Sequence, residues 1–190
     1  MRVIELLFLF VLFAFEISFL SFAIFILISG FISSNKGAPY VPVSKRSIKN
    51  ILKFAEIGDN DIFFDLGSGD GRVLIEAVKS FRVKKAVGYE ISPWPYLKAK
   101  FLIRKNGLNE RIHLIRKNFL EADLSEANII YLYLFPEAMK KLALKFKEEL
   151  PLGTMVLCVS FKIENPEDYD LFLKKEGKVD KFNLFLYEKR

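Results

Sequence analysis

The sequence predicts an α/β fold, a doubly wound and mostly parallel sheet, preceded by an N-terminal transmembrane helix. Three observations carry that reading. From residue 61 onward short apolar runs alternate with segments of helical period, the pattern of strands joined by crossover helices. One of those runs, Asp61-Ile62-Phe63-Phe64-Asp65-Leu66, turns through Gly67-Ser68-Gly69-Asp70-Gly71 directly into helix-forming residues. Ahead of all this, Leu6 to Ile28 is almost wholly apolar.

The apolar stretch comes first in the chain. At ~1.5 Å per residue it reaches roughly 35 Å, enough to cross a bilayer core. A cleaved signal peptide is the competing account, but its apolar region is normally shorter and no small-x-small cleavage site clearly follows, which favours an uncleaved anchor. Arg2 flanks one side, whereas Lys36, Lys45, Arg46, Lys49 and Lys53 follow on the other. The positive-inside rule then predicts a single-pass membrane protein with its C-terminal domain in the cytoplasm. Glu16 interrupts the span and would cost ~2–3 kcal/mol facing lipid as a charge. It falls on nearly the same helix face as Glu5, so either the acid is protonated or snorkels, or this face meets a membrane partner.

The rest divides into a linker, 31–44, and a domain, 45–190, with 1–30 as the anchor. Glycines, serines and two prolines mark the linker, which ends in Pro39-Tyr40-Val41-Pro42-Val43-Ser44. Lys45 to Ile57 has apolar residues at Ile48, Ile51, Leu52 and Ala55, a helical period that Ser44 is placed to cap. After the glycine turn we expect helix Val73–Phe81, strand Lys85–Tyr89, helix Tyr96–Asn106 and strand Ile112–Ile115. Strand Asn128–Leu134, helix Pro136–Leu150 and strand Met155–Val159 follow, and Phe182–Tyr187 reads as an edge strand.

Composition excludes several chemistries. With one Cys and one His, the chain can form no intrachain disulfide and no thiolate zinc cluster. Cys158 lies in an apolar run and reads as a core thiol; His113 reads as a structural strand residue rather than a catalytic base. The net charge of +6 is spread among acids, with no basic block interleaved with aromatics, so nucleic acid is disfavoured as a partner and a surface beside anionic lipid accounts for the charge.

The glycine turn is a ligand site. Glycines at 67, 69 and 71 allow positive φ and close approach of the backbone, and the N–H groups at the next helix start attract polar groups. A dinucleotide fingerprint would need a third glycine where Arg72 stands. The pattern resembles instead motif I of class I S-adenosylmethionine (SAM) methyltransferases, a Rossmann-like fold. A second acid ends the next strand, Lys85-Ala86-Val87-Gly88-Tyr89-Glu90, where a carboxylate can accept from both ribose hydroxyls.

Four segments extend the likeness: Pro39-Tyr40-Val41-Pro42, Asp65 to Val73, Val87-Gly88-Tyr89-Glu90-Ile91-Ser92-Pro93-Trp94 and Tyr131-Leu132-Tyr133-Leu134-Phe135-Pro136. In that order they resemble the membrane-associated protein-lysine methyltransferases of the ATP synthase c-subunit type and their prokaryotic relatives. The resemblance implies that Asp65, Gly67, Ser68, Gly69 and Gly71 hold the amino-acid end of SAM, that Glu90 with Ile91 meets the ribose, and that Asn118 with Phe119 lies at the adenine. Asn118 stands where an Asp is usual, and its oxygen can still accept from the adenine amine. The tail departs from the family, since Glu164-Asn165-Pro166 lacks the usual Trp-Pro pair.

For the chemistry, Tyr133 at the end of the fourth strand is the first candidate to contact the substrate amine and Tyr40 the second; aromatic packing is the competing account of each. Glu137 is a weaker candidate base, because an acid in the first turn of a helix is favoured there anyway. Trp94 or Tyr96 could cover the adenine or simply pack, and Asp70 could meet cofactor or favour its helix. Without a large insertion after the fourth strand the crevice is open, which suits a lysine on a small membrane protein. Methylation of a quinone or lipid, and a non-enzymatic SAM-binding assembly role, are the alternatives.

Overall fold

Seven strands in the order β3-β2-β1-β4-β5-β7-β6 make one mixed sheet in the computed structural model, which describes residues 2–36 and 43–190. The strands are β1 (Ile62–Leu66), β2 (Lys85–Tyr89), β3 (Ile112–Ile115), β4 (Ile129–Leu132), β5 (Met155–Val159), β6 (Leu171–Val179) and β7 (Phe182–Lys189). The helices are α1 (Arg2–Lys36), α2 (Lys45–Phe54), α3 (Arg72–Ser80), α4 (Pro93–Lys105) and α5 (Pro136–Glu149). The first five strands are parallel, and β7 runs antiparallel to both β5 and β6. Chain order reverses between β1 and β4, and a crevice opens at the carboxyl ends of strands at such a switch point.

Two apolar layers sandwich the sheet. Ile48, Ile51 and Leu52 of α2, Leu74, Ala77 and Val78 of α3, and Ala99 and Ile103 of α4 cover one face. Met139, Leu142, Ala143 and Phe146 of α5, with Phe119 and Leu124, cover the other. Strands buried on both faces carry continuous apolar runs, as Met155-Val156-Leu157-Cys158-Val159 does. Cys158 is fully buried within that run, and burial pushes its thiol up, away from reactivity. His113 is exposed on β3.

Ser44 caps α2 as its spacing predicts, its hydroxyl accepting from the Ser47 N–H at 3.1 Å. Two expectations are corrected. The segment Phe182–Tyr187 belongs to β7, which is an interior strand; the edge on that side is β6, a run for which the sequence predicts no element. Lys174, Lys175, Glu176 and Lys178 keep β6 solvated and a bulge interrupts it after Leu173, devices that keep an edge from pairing with another chain. Helix α1 also runs to Lys36, six residues into the segment 31–44 expected as linker.

Helix α1 is the one described helix long and apolar enough to cross a membrane, from Arg2 to Ile32. Its far end touches the domain. Ser29 is buried, its hydroxyl accepts from the Trp94 N–H at 3.1 Å, and the Phe22 and Trp94 rings meet edge to face at 5.8 Å.

Candidate active site

The site is built on three strand ends. Asp65 on β1 pairs in register with Gly88 on β2 and Tyr131 on β4, so these three residues lie in one row across the switch point. Beyond Asp65 the chain turns back over the sheet. The N–H groups of Gly67 and Ser68 both donate to the Tyr89 carbonyl at 2.9 Å, and the Gly71 N–H donates to the Ser68 carbonyl at 2.9 Å. This path needs φ of +95°, +54° and +74° at Gly67, Gly69 and Gly71, a region in which a Cβ is strained. Gly67 is held to glycine twice over, since a Cβ there would lie 3.1 Å from Leu134 Cδ2.

Glu90 locks the turn to the second strand. Its Oε2 accepts from the Gly69 N–H at 2.9 Å and its Oε1 from the Ser92 N–H at 2.7 Å. Each oxygen keeps a lone pair for a ligand hydroxyl. Burial raises the Glu90 carboxyl above its ordinary range, and the Ser92 and Gly69 N–H groups oppose that rise. Asp65 has no such relief among the described residues: burial first, then the charges of Glu90 and Asp70, push its carboxyl well above the ordinary carboxylate range. Asp70 is buried too, but Arg72 reaches it at 2.6 Å and Lys98 at 3.0 Å, while Arg72 also donates to the Val43 carbonyl at 2.9 Å. Of the two roles open to Asp70, the structure gives it a cationic partner on each side.

Three buried hydroxyls around this turn, those of Ser68, Ser92 and Tyr131, have no hydrogen-bond partner among the described residues. Buried polar groups left this way mark a place where a ligand completes the set. Burial, then the Asp65 charge and Tyr133, raise the Tyr131 hydroxyl well above its ordinary range, so it stays a neutral donor. The sequence points to Tyr131 only as part of the Tyr131 to Pro136 run. The two-residue period of a strand puts it on the face of Tyr133, which is the signal that could have found it.

Other expected positions stand as follows. Ile91 is half-buried beside Glu90. Asn118 follows β3, but its side-chain oxygen caps a 3-10 turn by accepting from the Leu120 N–H at 3.0 Å, leaving one lone pair for other contacts. Phe119 is buried in the α5-side core layer rather than presented to the crevice. Tyr133 is half-buried, with Phe182 edge-on to its ring at 5.7 Å. Tyr40 lies outside the described residues. Trp94 faces α1 and not the crevice. Glu137 is exposed in the first turn of α5, lining a cavity of about 280 Å³ with Met139, Lys162, Ile163 and Tyr169. The rings of Phe135 and Phe161, just beyond the ends of β4 and β5, stand 5.9 Å apart and partly exposed.

The donor set fits SAM. The ammonium and sulfonium of SAM suit the acids, its carboxylate suits the N–H groups of the Asp65–Gly71 turn, and a ribose diol suits a carboxylate with two free lone pairs, as Glu90 has. Known proteins agree. The ANTKMT methyltransferase domain matches residues 65–169. A protein-lysine N-methyltransferase of Saccharolobus islandicus is 36% identical over 149 residues, 78% of this chain and 92% of that protein. An adenine nucleotide translocase lysine N-methyltransferase of Mus musculus is 30% identical over 125 residues, 66% of this chain and 54% of its own length. Among solved structures, an RNA methyltransferase from Salinibacter ruber bound to S-adenosyl-L-homocysteine superposes with a TM-score of 0.72 at 28% identity, over 78% of this chain and 94% of that one.

Fold, donor set and relatives together define a SAM-dependent methyltransferase. Within that class the chain belongs to the ANTKMT methyltransferase-domain family.

Asp65 makes the site pH-sensitive in a definite direction. Its folded pKa lies above the unfolded value, so its destabilising effect is absent at acid pH and grows as pH rises through the raised pKa. A cationic ligand favours the anion, so binding releases a proton and tightens as pH rises through the same range. Asp65→Asn should therefore raise the melting temperature of the ligand-free protein at neutral pH, yet weaken SAM binding and flatten its pH dependence. Thermal melts and calorimetric titration between about pH 5 and 8 check both signs.

Proposed function

We propose that the protein is a membrane-anchored protein-lysine N-methyltransferase whose substrate is a lysine on a small membrane protein, presented to a domain on the cytoplasmic side. The observation that carries this reading is the docking of α1 on Trp94, four residues beyond Glu90, which ties an apolar helix of membrane-spanning length to the rim of the cofactor site. The name of the Saccharolobus islandicus relative, a protein-lysine N-methyltransferase, supports the choice of acceptor.

Bound SAM supplies an electrophilic methyl on a sulfonium, open to in-line attack by a neutral amine. The chain's work is to bind and orient. Asp65 and the 67–71 turn hold the amino-acid end, Glu90 and Ile91 the ribose, and Asn118 offers its remaining lone pair to the adenine. Phe119 supports that side from the core rather than by direct contact. At the open end of the crevice, Tyr133 orients the incoming amine, with Tyr40 as a second contact. Positioning is shared among these groups, so removing one hydroxyl has a partial effect. Tyr133→Phe should lower kcat by roughly 10- to 100-fold and leave the dissociation constant for SAM unchanged, as single-turnover assays beside direct SAM titration would register.

To test the acceptor class, radiolabelled methyl is transferred from SAM by the purified protein into membranes of a host lacking this gene, followed by separation of protein, lipid and RNA. Acid-stable label in a small membrane-protein band is the expected result. Label in the lipid extract would instead assign a quinone or lipid substrate, label in RNA a nucleic-acid substrate, and bound SAM with no label in any fraction a non-enzymatic assembly role.

A further inference from the structure

Beside the docked end of α1, helix α4 carries large apolar side chains on its solvent side. Trp94 is 42% exposed, Leu97 50% and Phe101 64%. Spaced at three and four residues, they form one stripe, and the opposite side of α4, Ala99 and Ile103, is buried against the sheet layer. A soluble helix packed on a sheet normally turns charges outward where this stripe lies. Arg104 and Lys105 close its last turn and are exposed.

We propose that α4 is an interfacial membrane helix, whose Trp94–Leu97–Phe101 stripe lies in the headgroup region of an anionic bilayer and fixes the domain's orientation on it. The proposal rests on the anchoring of α1 proposed above. Continuity with α1 identifies the occupant. A bilayer core of ~30 Å takes up about 20 residues of a helix, and the almost wholly apolar run of α1 ends at Ile28. The next turn of α1 emerges at headgroup level. It carries Ser29, which accepts from the Trp94 N–H, while Phe22, two turns deeper, meets the Trp94 ring, so the start of α4 is brought to the edge of the bilayer core, where a tryptophan is most favourable. Charge points the same way, since a basic edge beside an apolar stripe is the pattern of helices lying on anionic membranes.

Glu90 lies three residues before α4, so a helix held flat on the membrane keeps the cofactor end of the sheet at the bilayer surface. A single flexible tether would let the domain tumble away from it. The acceptor this geometry serves is a lysine a few ångströms outside a membrane span.

The chain suits a direct test, because its single cysteine, Cys158, is fully buried and a new surface thiol can be labelled alone. A nitroxide is attached at Phe101→Cys in the full-length protein, reconstituted in vesicles containing phosphatidylserine, and its depth read from accessibility to oxygen against a water-soluble nickel chelate. Leu144→Cys, 61% exposed on α5 across the sheet, serves as the aqueous reference, and Leu12→Cys within the apolar run of α1 as the membrane reference. We expect the label at 101 about 5–10 Å below the headgroup–acyl boundary, the label at 144 in water and the label at 12 deep. A label at 101 as wet as that at 144, with 12 deep, would overturn the α4 proposal and leave the anchor standing. A shallow label at 12 would overturn both. Spin–spin broadening at 101 in place of lipid contact would assign the stripe to a second copy of the chain and equally overturn the proposal.

Discussion

Glu90→Ala should raise the dissociation constant for SAM by about 100-fold or more while the sheet remains folded, measured by calorimetric titration beside circular dichroism. The carboxylate does two jobs at once. Its oxygens accept from the Gly69 and Ser92 N–H groups, which holds the glycine turn against β2, and in the proposed site their remaining lone pairs accept from a ribose diol. Alanine leaves two buried N–H groups unpaired and removes the charged acceptor; losing hydrogen bonds to a charged group costs ~1.5–3 kcal/mol, and ~1.4 kcal/mol is tenfold in affinity. Glu90→Gln is the sharper variant. The amide retains one acceptor oxygen but turns an NH2 toward an N–H donor, so it should restore one of the two turn hydrogen bonds and little of the affinity.

The largest effect on stability is expected at Gly88→Ala. A Cβ there would overlap Leu74 Cδ1 and stand 2.9 Å from Ser68 Oγ and 3.0 Å from Ser68 Cβ. Leu74 is fully buried, so it cannot swing into solvent, and Ser68 belongs to the glycine turn. Overpacking of this kind costs ~1–3 kcal/mol. For a domain of this size each kcal/mol lowers the melting temperature by about 2–4 °C. Because the displaced atoms include the turn itself, SAM binding should weaken with stability, whereas Glu90→Ala separates the two. Gly58→Ala is the contrast, as its nearest neighbour is 4.0 Å away, and it should melt with the parent protein.

Much of this architecture was legible because the chemistry leaves the chain few choices. The bounds of β2, β3 and β5 match the expected runs residue for residue, most simply in β5, where a strand buried on both faces has no polar position at which to blur its ends. The three glycines and Glu90 stand out for a related reason: positive φ restricts the residue type, and a buried acid is stabilised where N–H groups meet it, as Gly69 and Ser92 meet Glu90. What stayed hidden depends on pairing across the chain. Nothing local to Phe182–Tyr187 tells that β6 lies outside it, and the charges of β6 mask its period. Asp70 has one partner beside it in sequence, Arg72, and the other, Lys98, on a different helix. The amide of Asn118 suits the adenine, but a side chain one residue ahead of a 3-10 turn also caps it. Phe119, expected at the cofactor, belongs to the core, because an aromatic beside a site and one beneath it look alike in sequence.

Fragment-ion mapping of the methylated product tests the central claim most directly. After reaction of the full-length protein with SAM and its host membranes, the account predicts methyl groups on a lysine side-chain nitrogen lying within a few residues of a membrane span. Methylation on a lipid, on a nucleotide base, or on lysines of soluble proteins with none beside a span would contradict it.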